Sequence, residues 1–354
     1  MSATRRFLRL GLLVALLAVA IAVYLYRKLE YPPAPLANGE TTVFFPFGTS
    51  TKEIFQKLAD EGVVSPPWLA EAYYRVARSA TPLQAGEYRF RRPEPLSAVL
   101  ARMSAGDVVK HAIVVPEGLT ADETFDLFCA RGISRTEAFH TAFRNPQLID
   151  SIARGAPDLE GFLFPDTYVV TRSTSARQIV EKMLANFRRH FTPALRERAQ
   201  AAGLTEREAV ILASIVQKET SLGREASLVA GVYFNRLRHR MRLQADPTVA
   251  YALKRDGKWT GTVYRSDYGY ESPYNTYLMA GLPPGPICNP GLDALEAGAS
   301  PARTEYLYFV ADSTGGHTFS RTFEEHLEAI ASARRQRANG TTEAPEPHVR
   351  KSTR

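Results

Sequence analysis

The chain has 354 residues, 45% of them apolar and 23% charged, with a formal net charge of +7 and only two cysteines. This is ordinary globular composition with room for one large or two modest domains, and it excludes a disulfide scaffold. The basic residues are spread along the chain with no nucleic-acid motif beside them, so nucleic acid is not an expected partner.

Taken from the N-terminus, residues 10–26 form an unbroken apolar run of about 17 residues, the short end of what a membrane-spanning helix needs. Arg5, Arg6 and Arg9 precede it and Arg27 and Lys28 follow it, a slight bias toward a cytoplasmic N-terminus. Bulky Tyr24, Leu25 and Tyr26 stand where a cleavable signal would carry small residues, which favours an uncleaved anchor. Residues 1–9 then read as a short cytoplasmic stub, 10–26 as a transmembrane helix and 27–39 as a linker stiffened by Tyr31-Pro-Pro-Ala-Pro35.

A pattern of strand, turn and helix follows three times. Residues 41–46, 83–90 and from 111 read as strands, and helices are expected over 54–58, over 95–103 with Gly106 as the stop, and after Thr120. Residues 40–109 read as a small α+β module and 110–336 as a larger mixed α+β domain. Within the latter, helices are expected at 175–191, 206–220 and 225–240, with a β-hairpin at 307–311 and 317–320. Residues 243–291 are rich in turn chemistry, and long ordered loops are usually functional. Residues 337–354 read as a disordered basic tail.

The most informative helix opens on a capping box, Thr205-Glu-Arg-Glu208, and runs through eight apolar or small residues. Leu212, Ile215, Val216 and Glu219 fall at i, i+3, i+4 and i+7, so a carboxyl group shares one stripe with three aliphatic side chains. Two readings stand open on spacing alone: Glu219 ends the stripe by turning to solvent or to Arg224, or apolar surroundings hold it protonated as a general acid.

Other chemistries find less support. There is no G-x-S-x-G, Cys288 lies in a Pro/Gly loop, and the pairing of Cys129 with Cys288 is not readable. The histidines are scattered, so no metal or other cofactor is expected. The basic run at 236–242 reads as a solvated helix face, with contact to an anionic substrate or lipid headgroups as the alternative. What remains is carboxylate chemistry beside a loop rich in Tyr, Asn, Thr and Gln, which suits glycan cleavage. Asp246 is the candidate second carboxylate, against its simpler reading as a turn or helix cap before Pro247.

These segments together resemble the endolytic murein transglycosylase family, also called YceG-like. The resemblance is carried by Glu160-Gly-Phe-Leu-Phe-Pro-Asp-Thr-Tyr168, Ala213-Ser-Ile-Val-Gln-Lys-Glu-Thr220, Val232-Tyr-Phe-Asn-Arg-Leu237 and Leu243-Gln-Ala-Asp-Pro-Thr-Val249. Ser272-Pro-Tyr-Asn-Thr-Tyr277, Gly281-Leu-Pro-Pro-Gly-Pro286 and Gly315-Gly-His-Thr-Phe-Ser320 complete the series. It implies a LysM-like module at 40–109 and a catalytic domain at 110–336. The enzyme it implies is anchored in a bacterial inner membrane, faces the periplasm and cuts peptidoglycan between MurNAc and GlcNAc to leave 1,6-anhydroMurNAc ends. A penicillin-binding protein or another peptidoglycan synthase is the implied partner.

By the same resemblance Glu219 is the catalytic glutamate. Many relatives carry Glu where this chain has Gln217, which lies about 160° round the helix from Glu219. Gln244, Tyr274, Asn275, Thr276, Tyr277, Leu282, Pro283 and His317 become candidate glycan-binding groups, with Asn235 and Asp246 shaping the site. A lysozyme-like hydrolase using Asp246, and a non-catalytic peptidoglycan-binding scaffold, are the alternatives.

Overall fold

The structure, a computed structural model, describes residues 3–30, 39–77, 81–91, 94–312 and 315–339. The expected spacer at 31–35 and the tail from residue 340 onward lie outside these residues.

Helix α1 (Ala3–Glu30) contains the apolar run, and its Phe7–Lys28 portion, of mean hydropathy 2.5, is long and apolar enough to cross a membrane. Leu12, Leu13, Leu16 and Leu17 are exposed, which suits a helix whose surroundings are lipid.

The described chain divides into two compact units. The first takes the residues up to Ile113 together with Ala130–Ser134 and Tyr168–Ser175. Strand β1 (Glu40–Phe45) pairs antiparallel with β2 (Gly86–Arg91), Val43 opposite Tyr88, so that Val43, Phe45, Tyr88 and Phe90 bury one face. Helix α2 (Thr51–Asp60) starts on a capping box between Ser50 and Glu53 and packs Phe55 and Leu58 into that core. Helix α3 (Pro67–Ala77) follows, and α4 (Leu96–Ala105) adds Leu100 and Met103 and ends at Gly106, whose φ of 66° is the left-handed stop expected there. Strand β3 (His111–Val114) pairs with β4 (Thr167–Val170).

The second unit is mainly helical. Helix α5 (Ala121–Cys129) opens on reciprocal hydrogen bonds between Thr120 and Glu123. After it come α6 (Thr136–Phe143), α7 (Ala176–His190), α8 (Pro193–Ala201), α9 (Glu206–Glu219), α10 (Gly223–Arg238), α11 (Asp246–Arg255) and α12 (Leu292–Ala299). The hairpin β5 (Tyr308–Ala311) and β6 (His317–Ser320) precedes α13 (Phe323–Asn339). Helix α9 is its centre, with every residue from 209 to 216 buried. Its neighbour α12 approaches so closely that a Cβ on Gly298 would lie 2.4 Å from the Ala209 carbonyl oxygen.

Several elements depart from the sequence reading. Helices α3, α6, α8, α12 and α13 were not expected, and α13 continues to Asn339, three residues into the stretch read as tail. Within the basic run, Arg238, His239, Arg240 and Arg242 are exposed as expected of a solvated face, but Arg236 is buried. Its guanidinium is satisfied inside the fold, by Leu307 O at 2.7 Å from Nε and Leu243 O at 2.7 Å from Nη1. Both cysteines are free thiols, Cys288 wholly buried.

Candidate active site

Helix α9 places the site. The Thr205–Glu208 capping box fixes where the helix begins, and the buried run from 209 to 216 fixes its rotation, which carries Glu219 to the last position of the helix beside α10. There Tyr233 Oη of α10 donates a 2.6 Å hydrogen bond to Glu219 Oε1. Tyr233 is 2% exposed and packs edge-on against Phe309 of the hairpin, with ring centroids 5.7 Å apart. The partner of Glu219 is therefore Tyr233 and not Arg224.

Although Glu219 is partly open to solvent, protein surrounds its carboxyl, and burial is the main reason its pKa is pushed up to about 7. The negative charge of Asp246 pushes the same way, while the Tyr233 hydrogen bond and the charges of His317 and Arg236 pull it back. Near neutral pH this carboxyl is held close to half protonated, so it is able both to give and to take a proton.

Asp246, exposed at the start of α11, makes no capping bond, so the reading as a cap is corrected: it accepts a 2.5 Å hydrogen bond from Tyr277 Oη instead. Tyr277 in turn stacks on Tyr268 at 4.1 Å. Gln244 is exposed with a φ of 53°, its backbone N–H donating to Thr276 O at 3.1 Å. Thr276 and Asn275 are wholly buried. Thr276 Oγ1 accepts from Ala245 N at 3.0 Å, and Asn275 Nδ2 donates to the carbonyls of Tyr268 and Tyr270 at 3.1 and 2.8 Å. Their polar atoms thus set the course of the loop that presents Gln244, Asp246 and Tyr277. Tyr274 is buried too, its hydroxyl accepting from Arg255 Nη1 at 3.0 Å.

Not all the expected residues come together. Asn235 spends its amide on Thr304 O and Tyr306 O, both at 2.9 Å. With Leu282 and Pro283 it lines a separate cleft of about 1910 Å³, to whose wall Glu219 does not contribute. His317, by contrast, acts on the charge of Glu219 and holds Glu225 Oε2 at 2.8 Å through Nδ1.

Tyr233, Glu225 and Arg236 escaped the sequence reading, although the segment 232–237 was singled out and Tyr233 and Arg236 lie at i, i+3 on one face of α10. Gln217 faces away from the site, its Oε1 accepting from Gly291 N at 2.8 Å. A second buried carboxyl, Glu160, is pushed well up by burial and accepts from Ala121 N at 3.0 Å and Tyr251 Oη at 3.3 Å, tying down the first turn of α5.

In this mixed α+β fold the Glu219 carboxyl, with its raised pKa, receives the Tyr233 hydroxyl and feels the charges of Asp246 and His317, an arrangement chemically able to exchange protons near neutral pH. The chain belongs to the YceG-like family, whose model matches residues 43–332. It is 30% identical over 319 residues to a protein of Streptococcus pneumoniae serotype 2 named endolytic murein transglycosylase, the match taking in 82% of this chain and 58% of that one. The chain thus spans under two thirds of the length of that relative. A Bacillus subtilis protein of the same name is 28% identical over 323 residues, covering 86% of this chain and 88% of its own. The crystal structure of a yceG-like protein from Listeria monocytogenes aligns with a TM-score of 0.55 at 30% identity, covering 82% of this chain and 99% of the other.

Proposed function

We propose that the protein is a membrane-anchored endolytic lytic transglycosylase that cuts peptidoglycan strands between MurNAc and GlcNAc and so limits their length. The observation that carries this reading is the carboxyl of Glu219, pushed up to about 7 by burial and bonded to Tyr233. The names of the relatives from Streptococcus pneumoniae and Bacillus subtilis support it.

Protonated Glu219 gives its proton to the glycosidic oxygen as the bond to C1 of the muramic acid breaks through an oxocarbenium-like transition state. The C6 hydroxyl of the same sugar then closes on C1 and loses its proton, giving the 1,6-anhydro ring. The Glu219 carboxylate left by the first step is able to take that proton, so one carboxyl suffices. The nucleophile is part of the substrate, which supplies the proximity. Gln244, Asp246, Tyr277 and His317 form the groove around the reacting sugar. Residues 40–109 serve as a LysM-like glycan-binding module beside a catalytic domain at 110–336. Helix α1 anchors the chain in the inner membrane with the catalytic domain in the periplasm, near a penicillin-binding protein or other synthase.

The second reading, a hydrolase with Asp246 as its second carboxylate, draws on the charge that Asp246 exerts on Glu219. The test is mass spectrometry of the ends released from purified peptidoglycan by the wild type and by Glu219→Gln. Anhydro ends from the wild type, reduced by about 10³-fold or more in the variant, are expected. Reducing ends would favour the hydrolase, and equal activity in the variant would remove Glu219 from the reaction.

A further inference from the structure

In the single-carboxyl scheme the hydroxyl proton falls to the same carboxyl that has just acted as the acid. The charge of His317 acts on that carboxyl, and His317 is itself held by a second carboxylate, Glu225. His317 Nδ1 lies 2.8 Å from Glu225 Oε2, and the two side chains keep only 12% and 14% of their exposure. A carboxylate only accepts, so Nδ1 carries the hydrogen, which leaves Nε2 as the ring nitrogen to face a substrate proton. The residue before it makes this contact feasible: a Cβ on Gly316 would stand 2.6 Å from Glu225 Oε1.

The orientation of the imidazole is fixed by aromatic contacts as well. It packs edge-on against Phe309 with centroids 5.3 Å apart, and Phe309 packs edge-on against Tyr233, whose hydroxyl holds Glu219. Two rings, Phe309 and Tyr233, thus stand between His317 and the acid, and a positive charge on His317 favours the Glu219 carboxylate.

We propose that His317 is the base of the ring-closing step and that Glu225 is the residue that positions it. The proposal rests on the transglycosylase reading above. Glu219 passes its proton to the departing glycosidic oxygen as the C1–O bond breaks. The C6 oxygen forms its bond to C1, and the proton of that hydroxyl passes to Nε2 of His317. Glu219 ends as carboxylate and His317 as imidazolium, whose charge is balanced by Glu225, and both return to their starting forms by exchange with solvent. No proton is unaccounted for and no co-reactant is required. A lone carboxyl must finish giving before it begins to take, whereas two groups let bond breaking and ring closure overlap.

The two schemes differ in their pH dependence. With Glu219 alone, the enzyme–substrate complex requires only a protonated carboxyl, and kcat falls on the alkaline side. With His317 as base the imidazole must also be free, and activity falls on the acid side too. The charged groups that set these limbs are Glu219 from α9, Glu225 and Arg236 from α10, Asp246 from α11 and Asp312, which accepts from Gly316 N within the hairpin.

The experiment is a kcat–pH profile, about pH 5 to 9, for the full chain in detergent micelles acting on purified peptidoglycan, with anhydro ends as the readout. A bell-shaped wild-type profile is expected. In His317→Gln the acid limb disappears and kcat falls by about 10²-fold, with Tm close to wild type. In Glu225→Gln the acid limb moves to lower pH, because the imidazolium has lost its counter-charge. Unchanged limbs in the variants, or a fall in Tm with a profile of wild-type shape, would overturn the proposal and leave the pair as a strap holding the hairpin. Should His317→Gln not fold, Glu225→Gln decides alone: a shifted limb supports the proposal and an unshifted one defeats it. Failure of the parent reading looks different, since the wild type itself would then release reducing ends or nothing.

Discussion

At the scale of single residues, the burial that would suit Glu219 to the proposed proton transfer is unfavourable to folding. Its folded pKa of about 7 lies above the usual value of 4.5, so between these limits the native state binds more protons than the unfolded chain. Stability on this account is full below the unfolded value, declines as pH rises toward 7, and levels off beyond it. Glu219→Gln, which has no charge to desolvate, is expected to melt at higher temperature than the wild type at pH 8, by an equivalent of roughly 1–3 kcal/mol, the gap closing near pH 4 to 5. Thermal melts of the two proteins across pH check this, and a gap independent of pH would contradict it. Tyr233 acts in the opposite sense, its hydrogen bond favouring the charged form. In Tyr233→Phe the alkaline fall in activity should move to higher pH and kcat should drop about tenfold, the worth of one hydrogen bond to a charged group. A pH–rate profile measures both at once.

At the scale of elements, α9 has to be held at both ends for Glu219 to be where it is. Loss of the cap in Thr205→Ala is expected to destabilise the protein by about 1 kcal/mol with little change in kcat, since the site lies at the far end of the helix. Gly298→Ala is a sterner change, because the new methyl would meet the Ala209 carbonyl at 2.4 Å and the Ala213 nitrogen at 2.9 Å, both backbone atoms. It should cost about 1–3 kcal/mol and lower kcat as well, since α9 must move to relieve the clash. Chemical denaturation with an activity assay tests the contrast. The capping signals of α2, α5 and α9 and the stop at Gly106 were legible in the sequence because they are local: a side chain three residues away meets a backbone group. Helix α12 was not legible, since half of Leu292–Ala299 is Ala or Gly and these small residues make sense only against α9. The same limit governed the site. Glu219 showed itself through periodicity on its own helix, whereas Tyr233 and Glu225 gain their partners only when α10 meets α9 and the hairpin. Asn275 and Thr276 looked like ligand-binding groups because a buried polar residue that satisfies a loop has the same letter as one that touches a sugar.

At the scale of the whole molecule, the first compact unit is not continuous in sequence. The first unit includes Ala130–Ser134 and Tyr168–Ser175, supplied by chain that lies beyond the start of the second. Arg172 from the later segment lies over the Phe44 ring at 4.9 Å and reaches Glu87 at 3.4 Å. A fragment of residues 39–113 is therefore expected to melt well below one of residues 39–175, a difference that circular dichroism would register, and equal melting would show that the later segments are dispensable. The same arrangement sets an order of events during synthesis. A chain emerging from the ribosome at about 5–20 residues per second has its first unit incomplete until residue 175 is out. By then the long apolar helix α1 and the chain of α5 and α6 have already been made, so this unit is completed by residues synthesised after part of the second.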